Sequence, residues 1–193
     1  MNLYPKNPAE EIEEALNTLD LAARLQIGFR ENYINPLCFT SNIGINRDTG
    51  SHLRTNQNKT ILKNRFINLV FSTLATAACA IDRALDNKFG KKDSKDRSEI
   101  GALRNIFYMI RCAFAHDPCN PQWCCKGAYC ESPYSITISK ILSSRVVFRE
   151  GEAENITFEL DFNQINNQRL DFTHFKGLDG FFLLAEYAKK QVE

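Results

Sequence analysis

The chain has 193 residues, 44% of them hydrophobic, and its 24 basic and 23 acidic side chains leave a formal charge of +1. That length corresponds to one domain, with a core large enough to need no disulfide or metal staple. Balanced charge excludes a strongly basic nucleic-acid coat, and the composition excludes a disordered tail or a fibrous repeat.

The opening stretch, MNLYPKNPAEEIEEAL, has no basic segment leading into an apolar one, so no secretory signal is expected. Residues 8–30 space Ile12, Leu16, Leu19, Ala23 and Ile27 at intervals of three and four, which predicts an amphipathic helix. Its early glutamates suit the positive end of the helix dipole. Residues 35–59 are polar and lack a period, and read as a long loop that includes His52. A second helix is expected over residues 60–85. Its uncharged run, residues 66–81, is shorter than the roughly 20 residues of a membrane span, so a buried core helix is the better reading and no membrane partner is expected.

Residues 86–97 read as a charged connector. Ser98 is then a candidate N-cap for a third helix with the stripe Ile100, Leu103, Phe107, Ile110 and Phe114. That helix must stop near His116, because Pro118 disfavours helical backbone at Asp117. Beyond an irregular stretch the period changes to two, predicting antiparallel strands near Tyr134–Ile138 and Ile156–Phe162. Residues 145–148 and 170–172 are further strand candidates, with Asn166 and Asn167 as a turn. Residues 177–190 should close the chain as an apolar helix. The expected architecture is a mainly α single domain: a helical bundle over about residues 8–118 and 177–191, with a small antiparallel β element over about 134–175.

Residues 44–97 carry eleven Lys or Arg against five Asp or Glu, a weak pointer to a phosphate-bearing ligand; ordinary solvated loops and helix ends explain it too. The seven cysteines are an odd number, which argues for reduced thiols in a cytoplasmic protein. Cys119, Cys124, Cys125 and Cys130 follow a C-x4-CC-x4-C spacing without the two-residue knuckle of structural zinc. Buried or free thiols are expected there, with no metal and no cofactor. His174, beside Phe172 and Phe175, reads as structural. Trp123 reads as a cap on the core, with base stacking as the sharper alternative.

The informative residues lie on the third helix. At 100° per residue, Arg104, Tyr108 and Arg111 fall within about 60° of one another beside the apolar stripe. A guanidinium at that margin needs an anionic partner, either a carboxylate such as Asp82 or Asp20 or a ligand phosphate. His116 lies about 140° around a regular helix from Arg111. The two can share a site only if the last turn unwinds or if a second copy supplies one of them. The alternative is that His116 caps the helix and Arg111 makes a structural ion pair.

Arg111-x4-His116 at the end of this helix resembles the signature of the HEPN superfamily, Arg followed after four to six residues by His. The wider string RCAFAHDPCNPQW is similar to a stretch of uncharacterised bacterial HEPN-like proteins. Cys112 stands where many members carry a polar residue, often Asn. The resemblance implies metal-independent RNA cleavage by a homodimer, with sites facing each other across a cleft. His116 would be the acid–base group and Arg111 the phosphate clamp, while Arg104 and Tyr108 would position RNA or a nucleotide. It also implies a bacterial toxin or defence setting, with a regulatory protein partner. The competing reading is a non-catalytic dimeric scaffold, or an antitoxin-like protein, that keeps the bundle for interaction.

Overall fold

The computed structural model describes residues 7–34, 56–118, 120–139, 145 and 154–193, with side chains from residue 60 onward in the second helix. The polar loop with His52, most of the 145–148 strand candidate, Cys38 and Cys119 lie outside the described residues. The protein is mainly helical with one small sheet, as the sequence predicts. Its elements are α1 (Pro8–Arg30), α2 (Asn56–Phe89), α3 (Glu99–His116), β1 (Tyr134–Ser139), β2 (Asn155–Leu160), α4 (Phe162–Ile165) and α5 (Leu178–Val192). Short 3-10 turns occupy Gly127–Cys130 and Phe172–Phe175.

The described residues divide into two compact units. One draws on Met1–Leu16 and Ala75–Glu193, the other on Asn17–Leu74, so α1 and α2 contribute to both. In the smaller unit Leu19, Ala22, Ala23, Leu62, Phe66, Val70, Phe71 and Leu74 form the buried core. Phe29 and Phe66 meet there with ring centroids 5.2 Å apart. Within α2, the stretch Thr60–Phe89 has the length and composition to cross a membrane, and half of its most apolar window is buried inside the protein.

The larger unit is built around α3. Ser98 caps this helix as expected: its side chain accepts from the Gly101 amide at 3.1 Å. The last helical residue is His116, and Asp117 turns to extended backbone ahead of Pro118. From Gly101 to Phe114 every residue except Tyr108, Arg111 and Cys112 is buried. β1 packs against α3 and α5, with Tyr134, Ile136 and Ile138 turned inward and Ser135 and Thr137 outward. β2 pairs with it in antiparallel register, Tyr134 opposite Leu160 and Ser139 opposite Asn155.

Two expectations change. Phe162 does not extend the strand but starts α4, because the Asp161 side chain accepts from the amides of Asn163 and Gln164 and turns the chain into a helix. Residues 170–172 form no strand for the same reason: Asp171 caps the Phe172–Phe175 turn in a capping box with His174. Pairing there is limited to a single bridge between Gln122 and Arg169. Trp123 is fully buried, packed on Phe162 and Phe175 and donating from its indole N–H to His174 Nδ1 at 3.1 Å. It therefore caps the core and is closed to a base, and His174 is structural.

Candidate functional site

The face of α3 that is not sealed by packing carries a cluster of cations and carboxylates. Asp82, on α2, has a side chain only 1% exposed. Such a carboxylate is costly to bury without compensation, and two cations supply it. Lys92 Nζ donates to Asp82 Oδ1 at 2.8 Å, and Arg111 Nη1 lies 2.9 Å from Asp82 Oδ2. Lys92 also pairs with Asp86, one helical turn further along α2. The spacing of four residues puts both carboxylates on one side of α2, where a single ammonium reaches both.

Lys92 belongs to the stretch that reads as a charged connector. In the structure that stretch is tied down from every side. The Arg104 guanidinium donates to the Gly90 carbonyl, Asn105 Nδ2 donates to the Asp93 carbonyl at 2.9 Å, and the Tyr134 hydroxyl donates to the Ser94 carbonyl at 2.6 Å. Arg97 donates to the Ser94, Ala128 and Ser132 carbonyls and stacks 3.8 Å over the Tyr134 ring. The signal in the sequence was the Asp82/Asp86 pair at helical spacing with lysines just past the helix end.

Arg104, Tyr108 and Arg111 do come together on one side of α3, but with different exposure. Arg104 is buried, its guanidinium committed to Gly90 and lying 3.5 Å from Asp86. Tyr108 sits at the rim, with Lys92 Nζ 5.1 Å and the Arg111 guanidinium 5.3 Å from its ring centre. Its other neighbour is Tyr129, stacked at 5.4 Å. A hydrogen bond with Cys112, then burial, pushes the Tyr108 hydroxyl up, while burial and the neighbouring tyrosines push Tyr129 up to about 12. Of the carboxylates suggested as partners, Asp82 takes Arg111, whereas Asp20 pairs with Arg24 within α1 at 2.7 Å.

Arg111 is held differently from Lys92. Its side chain is 45% exposed. Asp82 Oδ2, the oxygen it approaches, accepts no hydrogen bond. The contact is an ion pair whose N–H bonds do not point along it.

His116 is not brought to Arg111 within one chain. The helix stays regular through His116, which keeps the two about 140° apart around the axis. Both nevertheless border the same open strip. Relative to Tyr108, Arg111 lies at about −60°, Ala115 at −20°, Cys112 at +40° and His116 at +80°. Arg111, Ala115 and His116 are exposed and Tyr108 and Cys112 half-buried, so the strip has the two functional candidates at its edges with Tyr108, Cys112 and Ala115 between them. Among the described residues the His116 side chain makes no hydrogen bond or ion pair.

The cysteines beyond the helix need one correction. Cys125 and Cys130, expected as thiols, are joined in a disulfide, because the Gly127–Cys130 turn folds their Cα atoms to 6.1 Å. Cys79, Cys112 and Cys124 are free, and burial pushes the Cys79 thiol up. Among the described residues no cluster of His, Cys, Asp and Glu is arranged to hold a metal ion. No known family model, curated protein or solved structure matches this chain.

Proposed function

We propose that the protein is a HEPN-type, metal-independent ribonuclease that works as a homodimer on a phosphate held by Arg111. The observation that carries this reading is the open strip of α3, where a half-exposed guanidinium that makes no hydrogen bond to Asp82 and an exposed imidazole flank Tyr108, Cys112 and Ala115. Two such strips packed face to face and crossing steeply about the level of residues 113–114 would set Arg111 of each copy beside His116 of the other. The offset between the two residues is about 7.5 Å along the axis, about 1.4 turns. Ala115 and Cys112 leave room for the helices to approach closely.

In that arrangement the chemistry follows from the two groups. The neutral imidazole of His116 takes the proton of a ribose 2′-hydroxyl, and the oxygen attacks the adjacent phosphorus. The Arg111 fork stabilises the charge that gathers on the phosphoryl oxygens. A protonated imidazole returns a proton to the leaving 5′-oxygen, leaving a cyclic phosphate end. Tyr108, at the rim, is available to position the chain, whereas Arg104 acts from beneath by fixing the connector.

A second reading has its own support: the ion pair to Asp82 is what a structural arginine in a non-catalytic dimeric scaffold would make. One experiment separates them. Purified protein in EDTA should cut single-stranded RNA and leave cyclic phosphate ends, and Arg111→Ala and His116→Ala should each abolish cutting while remaining folded. If unaltered protein leaves RNA intact, or if His116→Ala cuts at the full rate, the nuclease reading fails and the scaffold stands.

A further inference from the structure

Beside the cluster sits a turn whose only covalent anchor is the disulfide. Its two ends are held very unequally. Cys125 is 4% exposed, its amide donating to Asn166 Oδ1 at 2.9 Å and its carbonyl accepting from Asn166 Nδ2 at 3.4 Å. Just upstream, Trp123 exchanges backbone hydrogen bonds with Gln168 and Asn167 at 3.0 and 2.9 Å. Cys130 is only half-buried and closes a four-residue turn with no side-chain cap. Gly127 at its start has φ +59°, where the chain reverses most freely. Besides the disulfide, the turn is held by hydrogen bonds to the Ala128 carbonyl from Arg97 at 3.2 Å and from the Glu131 amide at 3.4 Å, by Tyr129 stacked on Tyr108 and tilted against Tyr134 at 6.5 Å, and by packing on α4.

We propose that Cys125–Cys130 is a reversible redox tether that fixes Tyr129 over Tyr108, next to Arg111, when oxidised and frees it when reduced. The proposal is independent of whether RNA is the substrate. Attack falls on the sulfur of Cys130, the more exposed residue of the two. A small-molecule thiolate such as glutathione bonds to the Cys130 sulfur and expels the Cys125 thiolate, which takes up a proton. A second glutathione thiolate then attacks the mixed disulfide and expels Cys130. Two glutathiones become one glutathione disulfide, and the protein gains two electrons and two protons. Oxidation runs the same steps backward with glutathione disulfide as the oxidant. With the S–S bond gone, two ring contacts of Tyr129, two hydrogen bonds to the Ala128 carbonyl and the packing on α4 are left to hold a half-exposed turn against its own conformational entropy, and a segment of that kind opens more readily than one that is cross-linked.

The test equilibrates the full-length chain in glutathione buffers of graded ratio and reads it by alkylation with peptide mapping and by amide hydrogen exchange. Cys125 and Cys130 should be blocked together in buffer rich in glutathione disulfide and alkylated together in excess glutathione. Cys79, Cys112 and Cys124 should be alkylated in excess glutathione and in neither buffer be found joined to Cys125 or Cys130. Amides of Lys126–Cys130 should exchange faster by about tenfold or more in the reduced protein. Cys130→Ser should show the fast pattern in both buffers, and Cys124→Ser should behave as the unaltered chain. Thiols that stay free in glutathione disulfide, a bond that survives excess glutathione, pairing through Cys124, or exchange that is the same in both states would each overturn the tether.

Discussion

Whether Arg111 is a strut or a clamp is decided by what its removal costs. Asp82 is held by two cations of very different exposure, Lys92 at 11% and Arg111 at 45% of the side chain. Replacing Lys92 with Met keeps most of the aliphatic stem but removes the one hydrogen bond that the buried Asp82 carboxylate accepts among the described residues. Breaking a buried pair in this way costs about 3–5 kcal/mol. Replacing Arg111 with Gln removes a half-exposed ion pair that makes no hydrogen bond, which on the scale of solvent-screened pairs is worth about 1 kcal/mol or less. In urea, with a slope of about 2.5 kcal/mol per molar, the midpoints should fall by about 1.6 M for Lys92→Met and about 0.4 M for Arg111→Gln. A double-mutant cycle with Asp82→Asn should show the larger coupling for Lys92. If Arg111→Gln unfolds the protein as readily as Lys92→Met, the guanidinium is a structural element and the phosphate-clamp reasoning is refuted.

Three more outcomes follow from the packing and the protonation. Gly180 lies where α5 passes the preceding turn, and a Cβ there would overlap the Phe175 carbonyl oxygen; Gly180→Ala should lower stability by about 3 kcal/mol or more, read as a drop in Tm of several degrees. Ser98→Ala removes the α3 cap and should cost about 1 kcal/mol in urea unfolding. Burial holds the His174 imidazole below its ordinary pKa of 6.5, outweighing the opposing pull of Asp171, and Nδ1 accepts from both Trp123 Nε1 and the Asp171 amide. The unfolded chain therefore binds this proton first. Stability should be complete above pH 6.5 and decline as pH falls below it, by at most about 1.4 kcal/mol per pH unit. Urea midpoints between pH 7 and 5.5 should show that slope reduced in His174→Gln.

The parts of the fold that were legible in the sequence are those fixed by local rules. The stripe from Ile100 to Phe114, the Ser98 cap and the stop before Pro118 define α3 to the residue, since periodicity, capping and proline sterics all act within one turn. Alternation likewise gave β1 and β2. It misled at Leu170–Phe172, where Asp171 binds its own backbone and diverts the chain from a strand. The connector was read by its charge alone, yet Lys92 is the residue that neutralises Asp82. That pairing is ten residues apart and depends on how α2 ends. The Cys125–Cys130 bond was missed because its spacing matches no metal knuckle, and only the turn at Gly127 brings the sulfurs together. For the candidate site, the grouping of Arg104, Tyr108 and Arg111 followed from helical angles, but burial of Arg104 depends on Gly90 reaching back to it, which no angle reveals.

A mixing experiment with two inactive variants tests the paired site most directly. Arg111→Ala and His116→Ala, each inactive alone, are combined in equal amounts, allowed to exchange subunits, and assayed on single-stranded RNA in EDTA. If each site takes its arginine from one copy and its histidine from the other, random exchange makes half the dimers mixed and leaves each with one intact site, restoring about a quarter of the unaltered activity. A mixture as inactive as its components, although subunits have exchanged, would contradict the shared site.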